Sequence, residues 1–184
     1  TNMEKAVNAL KYIIPLLQKY NFRWVITGGF ACLAYGIDRP LTDIDIDINT
    51  TKDSFSFQSL MVDVKPYVTQ ELEHFVDQNY DNYNLEVTYE GQVLDICPMA
   101  ELKIFDRNTN SYVLFYNNFP DVEFVDFHGL ELPLLPKEMI IKNEPPRAYA
   151  RGIPSLKQLR CLPRIFPSLI LDILADYILI DARR

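Results

Sequence analysis

The sequence predicts a mixed α/β fold (α+β), in which helices pack on one side of a mixed central sheet. Three observations support this prediction. Apolar residues recur at helical spacing near the start of the chain, aspartates alternate with isoleucines over residues 43–48, and short β-rich runs follow from residue 85. Interleaved helices and strands of this kind form a sheet with helices packed against it.

The first half of the chain is predicted to alternate between helix and strand. Its predicted elements are a helix over 3–20, a strand over 22–27, a helix over 30–35, a strand over 41–48 and a helix over 54–78. Pro15 is expected to kink or split the first helix, because proline removes a backbone hydrogen bond. Gly28-Gly29 is expected to form the turn between the first strand and the second helix.

The second half is predicted to consist mainly of strands. Its predicted elements are a hairpin of 85–89 with 93–97, strands over 112–116 and 122–127, and helices over 137–142 and 169–180. Glu90-Gly91-Gln92 supplies the hairpin turn. His74 and His128 are expected to have structural roles only, the first within the predicted 54–78 helix.

Composition divides the 184 residues near position 144. Residues 1–144 carry 11 basic and 22 acidic side chains, whereas residues 145–184 carry seven basic and three acidic ones. The second segment also opens with Pro145-Pro146. We therefore expect one domain over 1–144, followed by a divergent, basic and proline-containing C-terminal tail over 145–184 that includes one helix.

Charge and composition also exclude several classes of protein. The net charge of −7 disfavours binding to nucleic acid through a globally positive surface. Three cysteines follow no metal-ligand spacing, and their odd number disfavours a secreted disulfide framework. We find no apolar run that would span a bilayer and no signal-peptide pattern, so we expect a cytoplasmic protein without membrane association.

The acidic strand is the strongest chemical signal in the chain. In a strand, Asp43, Asp45 and Asp47 all point to one face, and the intervening isoleucines point to the core. Two carboxylates brought within about 4 Å of each other repel by roughly a few kcal/mol in a partly screened site. A divalent cation such as Mg²⁺ would offset that repulsion. The alternative interpretation is a solvated polar face of an edge strand.

A calcium-binding EF-hand loop can be rejected. Such a loop requires glycine at its sixth position and glutamate at its twelfth. Counted from Asp43, these positions are occupied by Ile48 and Ser54.

The residues before the acidic strand favour binding of an anion. Gly28-Gly29 lies between a strand and a helix, where backbone N–H groups can hold a phosphate, and Thr27 could add a hydroxyl. Arg39 could pair either with a phosphate or with Asp43. A simple tight turn and a structural ion pair are the alternatives.

A larger motif consists of Gly28-Gly29, Ala31, Tyr35-Gly36, Arg39 and Asp43-Ile44-Asp45-Ile46. It resembles the signature of the polymerase-β-type nucleotidyltransferase superfamily, and this resemblance implies that residues 1–144 are the catalytic domain. In that family a glycine pair precedes a short helix, an arginine and a strand with two aspartates. The resemblance covers roughly residues 22–130 and implies the nucleotidyltransferase fold. The chain departs from the pattern at Leu41, where many relatives have threonine, and in its extra aspartate, Asp47.

The resemblance implies a mechanism and a set of site residues. Asp43 and Asp45 would bind Mg²⁺, with Mn²⁺ as the alternative ion, and Asp95 on a later strand would be the third catalytic and metal-binding carboxylate. The spacing to Gly29 and Arg39 favours Asp43/Asp45 over Asp45/Asp47 as the metal pair. Thr27, Gly28, Gly29 and Arg39 would bind the nucleotide.

The implied reaction is the transfer of a nucleoside monophosphate from a nucleoside triphosphate such as ATP. The acceptor is a hydroxyl on a small molecule, a protein or a tRNA, and pyrophosphate is released. A homodimer or a separate partner chain could supply the part that binds the acceptor. The alternative is an inactive nucleotide-binding or toxin–antitoxin module with the same fold.

Overall fold

The computed structural model describes residues 1–115 and 118–143. The helices are α1 (Asn2–Lys19), α2 (Gly28–Ala34), α3 (Phe55–Val64) and α4 (Lys137–Asn143). The strands are β1 (Trp24–Thr27), β2 (Asp43–Ile48), β3 (Val68–Val76), β4 (Tyr80–Tyr89), β5 (Gln92–Pro98), β6 (Lys103–Asp106), β7 (Ser111–Leu114), β8 (Glu123–Phe127) and β9 (Leu130–Leu134). Among these residues, no helix is long and apolar enough to cross a membrane.

The strands within the described residues form one mixed sheet. The order is β7-β6-β4-β5-β2-β1-β9-β8, and β3 pairs with β4 outside this path. Strand β2 runs parallel to β5 and antiparallel to β1, and β1 runs parallel to β9. The predicted mixed α/β fold class is therefore confirmed.

Helix α1 begins with a capping box and continues through a proline. The side chains of Thr1 and Glu4 bond to each other's backbone N–H groups. Pro15 lies inside the helix, so of the two predicted effects, a kink or a split, the split does not occur. Both Pro15 and Lys11, whose carbonyl lacks its usual helical donor, are exposed to solvent, where water can satisfy that carbonyl.

The core lies on the face of β2 that carries the isoleucines. Ile44, Ile46 and Ile48 have no solvent exposure. They belong to one apolar cluster with α1 residues Ala6, Ala9, Leu10, Ile13 and Leu17. Each fully buried isoleucine contributes about 1.5–3 kcal/mol to the free energy of folding, relative to an exposed side chain. This burial orients β2 so that its aspartates must face the other way.

The predicted helix over 54–78 is wrong beyond its first half. Ser54 caps α3, because its Oγ accepts a hydrogen bond from the Phe57 N–H at 3.2 Å. The helix ends at Val64, close to Pro66, and β3 begins at Val68. His74 therefore lies in a strand. Pairing of β3 with β4 overrides the local preference that the sequence pattern indicated.

The β4–β5 hairpin is confirmed, although β4 begins five residues earlier than predicted, at Tyr80. Strands β6 and β9 were not predicted. The predicted strand over 112–116 is observed as Ser111–Leu114. The C-terminal tail over 145–184, with its predicted helix over 169–180, lies outside the described residues.

Candidate active site

Three carboxylates meet at the centre of the sheet. Asp43 and Asp45 lie on β2, and parallel pairing with β5 places Asp45 beside Asp95. One oxygen atom from each of the three residues lies within 4.8 Å of those of the other two. All three side chains are half-buried. The structure thus brings together the three aspartates that the sequence singled out.

The electrostatics of Asp95 reflect this crowding. Burial raises the pKa of Asp95 above its usual value, and the negative charges of Asp43 and Glu86 raise it further. A hydrogen bond from Asn84 acts in the opposite direction. The Nδ2 atom of Asn84 donates to Asp95 Oδ1 at 3.1 Å. On the other side of the cluster, the Thr42 hydroxyl donates to Asp43 Oδ1 at 2.7 Å.

The additional aspartate, Asp47, is not part of this group. It lies in register with Val25 on β1 and with Cys97 on β5 and is only 8% exposed. Burial raises the pKa of Asp47 to about 7. Within the described residues, the group that could hold a metal ion contains Asp43 and Asp45 rather than Asp45 and Asp47.

Gly28 lies directly against the Asp45 carboxylate. A Cβ atom on Gly28 would overlap Asp45 Oδ2 and lie 2.7 Å from Asp45 Cγ. The φ angle of Gly28 is +60°, which glycine adopts without strain. Thr27 is the cross-strand neighbour of Asp45. The two glycines begin α2 directly and do not form a separate turn before it.

Gly29 lies against the guanidinium of Arg39. A Cβ atom on Gly29 would lie 2.7 Å from Arg39 Nη2 and 2.8 Å from its Cζ. Among residues 1–115 and 118–143, no carboxylate forms an ion pair with Arg39 within 4.0 Å, so the alternative of a structural pair with Asp43 is not observed. The glycine pair therefore contacts a carboxylate on one side and a cation on the other.

This arrangement suits two kinds of ligand. Clustered carboxylates provide the hard oxygen ligands that Mg²⁺ prefers. A guanidinium over a glycine backbone can bind phosphate oxygens by charge-assisted hydrogen bonds. Both groups flank Gly28-Gly29, so a metal–phosphate complex could contact both at once.

No protein-family model matches the sequence, and no curated protein matches it. Solved structures, in contrast, do match this chain. A candidate nucleotidyltransferase from Thermotoga maritima aligns over 88% of this chain and 92% of its own, with 17% identity and a TM-score of 0.63. The antibiotic-resistance factor ANT(2'')-Ia aligns over 97% of this chain and 96% of its own, with 15% identity and a TM-score of 0.53.

The chain has the nucleotidyltransferase fold. The resemblance that the motif indicated is confirmed at this level. The sequence did not indicate every residue of the site. Asn84 and Glu86 lie on β4 beside Asp95, and their only sequence signal is their alternation with the buried Leu85 and Val87. That alternation is typical of a strand with one polar face, but it does not identify the neighbours of these residues.

Proposed function

We propose that the protein is an Mg²⁺-dependent nucleotidyltransferase. It transfers a nucleoside monophosphate from a nucleoside triphosphate to an acceptor hydroxyl and releases pyrophosphate. The observation that carries the proposal is the cluster of Asp43, Asp45 and Asp95 within 4.8 Å on a nucleotidyltransferase fold.

The three carboxylates fit a divalent cation. In this proposal Asp43 and Asp45 would bind the ion that accompanies the triphosphate, and all three aspartates would hold a second ion that activates the acceptor hydroxyl. Mg²⁺, or Mn²⁺ in its place, would supply positive charge that stabilises the phosphates and lowers the pKa of the acceptor hydroxyl. Without such an ion, clustered aspartates in a half-buried site would repel one another.

The glycine pair and Arg39 are assigned to the phosphates. Arg39 carries a guanidinium over Gly29, and Gly28 has no side chain that would block access to the Asp45 carboxylate. Thr27 is the neighbour of Asp45 on β1 and can add a hydroxyl. ATP is the first candidate among the triphosphates.

The reaction needs positioned groups and no protein nucleophile. The acceptor oxygen forms a bond to the α-phosphorus, and the bond from that phosphorus to the bridging oxygen of the β-phosphate breaks. Pyrophosphate leaves with the electron pair of the broken bond, and the hydroxyl proton passes to solvent. The aspartates and Arg39 hold the reactants in line and balance the charge on the phosphates.

The acceptor is left open in this proposal. A small molecule, a protein and a tRNA end are all compatible with the reaction, and a second copy or a partner chain could help to bind the acceptor. ANT(2'')-Ia is by its name an antibiotic-resistance factor, which places small-molecule antibiotics among the first acceptors to screen. A cytoplasmic location is proposed together with this chemistry.

Calorimetry tests the proposal directly. Wild-type protein is titrated with ATP, GTP, CTP and UTP, with and without Mg²⁺, next to the double variant Asp43→Asn/Asp45→Asn. A double variant with the same charge change at two exposed residues, Asp121→Asn/Glu131→Gln, is the matched control. We expect Mg²⁺-dependent binding that the control retains and the site variant loses.

Absence of binding by folded wild-type protein to all four triphosphates would overturn the proposal. Binding without any transfer to a broad set of acceptors would favour the inactive nucleotide-binding module.

A further inference from the structure

Asn84 contacts the candidate metal site without belonging to its carboxylate group. It lies on β4, which pairs antiparallel to β5, and its side chain reaches the face that carries Asp95. Asn84 Nδ2 donates a hydrogen bond to Asp95 Oδ1 at 3.1 Å. Only the NH₂ side of the amide can donate to an ionised carboxylate, so the orientation of this amide is fixed by its neighbour.

Asp95 needs such a partner because the negative charges around it would otherwise rotate its carboxylate. The terminal torsion of an aspartate side chain has a broad energy minimum. Asp95 faces negative charge from two directions, since Asp43 lies on one side and Glu86 is its cross-strand partner on the other. Glu86 is itself held in place by a hydrogen bond from the Thr69 hydroxyl at 2.5 Å.

The bond from Asn84 therefore selects one orientation of the Asp95 carboxylate. Asp95 Oδ1 accepts the hydrogen bond from the amide, whereas Oδ2 does not take part in it. Groups that hold a ligand carboxylate by hydrogen bonds commonly control metal affinity.

We infer that Asn84 is a positioning residue that orients Asp95 for binding of a divalent cation. This inference rests on the proposed function, since that function assigns the ion to the three aspartates. In this inference Asn84 would act through its hydrogen bond to Asp95 and would not itself bind the ion.

The experiment is a titration of the protein with Mn²⁺ alone, in which the free ion is followed by electron paramagnetic resonance. The variant Asn84→Leu keeps the size of the side chain and removes the amide donor. The variant Asn84→Gln keeps the donor. Thr88→Val is the matched control, because Thr88 lies on the same face of β4 and bonds to Thr69 rather than to the aspartates.

We expect the Mn²⁺ affinity of Asn84→Leu to fall by about 10-fold or more, as is typical when such a partner is lost. Asn84→Gln should recover part of this loss, and Thr88→Val should bind like the wild type. Thermal unfolding of each variant separates this effect from a loss of structure. If Asn84→Leu does not fold, Asn84→Ala gives the same comparison with a smaller side chain.

Equal Mn²⁺ affinities of the wild type and the folded variant without the donor would overturn this inference and leave the proposed function intact. Wild-type protein that binds no Mn²⁺ would overturn both. The two failures are therefore distinguishable.

Discussion

The Asp45 carboxylate occupies the space in which a side chain on Gly28 would begin. A Cβ atom there would overlap Asp45 Oδ2, and Asp45 Cγ would be only 2.7 Å away. The glycine at this position thus permits the carboxylate to lie on the backbone at the start of α2. This contact links the glycine motif to the acidic strand in space as well as in sequence.

The variant Gly28→Ala is expected to displace Asp45 and weaken Mn²⁺ binding by about 10-fold or more. It also carries a backbone cost of about 1–2 kcal/mol, because alanine disfavours a positive φ. Gly129→Ala is the matched control, since Gly129 has a φ of +81° and a Cβ atom there would meet no described residue within 4 Å. Both variants should lose stability in urea through the positive φ, Gly28→Ala the more because it also displaces Asp45, but only Gly28→Ala should lose the metal. Equal Mn²⁺ affinities of Gly28→Ala and Gly129→Ala would show that Asp45 does not bind the ion.

The variant Arg39→Gln separates phosphate binding from metal binding. The guanidinium lies against Gly29 and is not part of the carboxylate group that could hold a metal ion. We expect the affinity for Mg²⁺-ATP to fall by roughly 10- to 100-fold, the range for losing a hydrogen bond to a charged group. Mn²⁺ affinity without nucleotide should remain. Arg107→Gln, at an exposed arginine, is the control, and calorimetry provides both affinities. Unchanged ATP binding would remove Arg39 from the proposed site.

Asp47 makes the stability of the fold depend on pH. Its pKa is raised to about 7 in the folded state, while an unfolded aspartate titrates near 3.8. Between these values the folded state holds a proton that the unfolded state releases. The free energy of unfolding should therefore fall as pH rises through this window, by up to about 1.4 kcal/mol per unit, and stay level above it.

Asp47→Asn should abolish this contribution. Urea unfolding at pH 4.5, 6 and 8, in the presence of a chelator, gives the free energy of unfolding of both proteins. In the difference between the two proteins, the contributions of the other carboxylates cancel. The variant should gain stability relative to the wild type as pH rises. A constant difference across the three pH values would contradict the burial that raises this pKa.

Local sequence pattern was sufficient to predict part of the candidate site. Strict alternation with isoleucine fixes the face of Asp43 and Asp45, and the hairpin that contains Asp95 has its own turn signal. Their mutual approach depends on the parallel register of β2 and β5, which local pattern does not specify. For that step the resemblance to a known motif was needed.

The wrong and missing predictions arise from contacts between segments rather than from local sequence pattern. Residues 68–76 become a strand because they pair with β4, and that pairing lies outside the segment itself. Asn84 was overlooked for the same reason, since its importance comes from a partner on the neighbouring strand. Contacts between strands decided both cases, and such contacts leave little trace in a single sequence.

Two neighbours on β4 should shift the pKa of Asp95 in opposite directions. The charge of Glu86 raises that pKa, and the hydrogen bond from Asn84 lowers it. Glu86→Gln is therefore expected to lower the pKa of Asp95, because it removes a like charge while the amide oxygen of glutamine can still accept from Thr69. Asn84→Leu should raise it. The pKa can be measured from the ¹³C shift of the carboxyl carbon in metal-free protein, with Thr88→Val as the unshifted reference. Shifts of the same sign in the two variants would mean that the Asp95 carboxylate moves when either neighbour changes, and that its orientation is not set by the bond from Asn84.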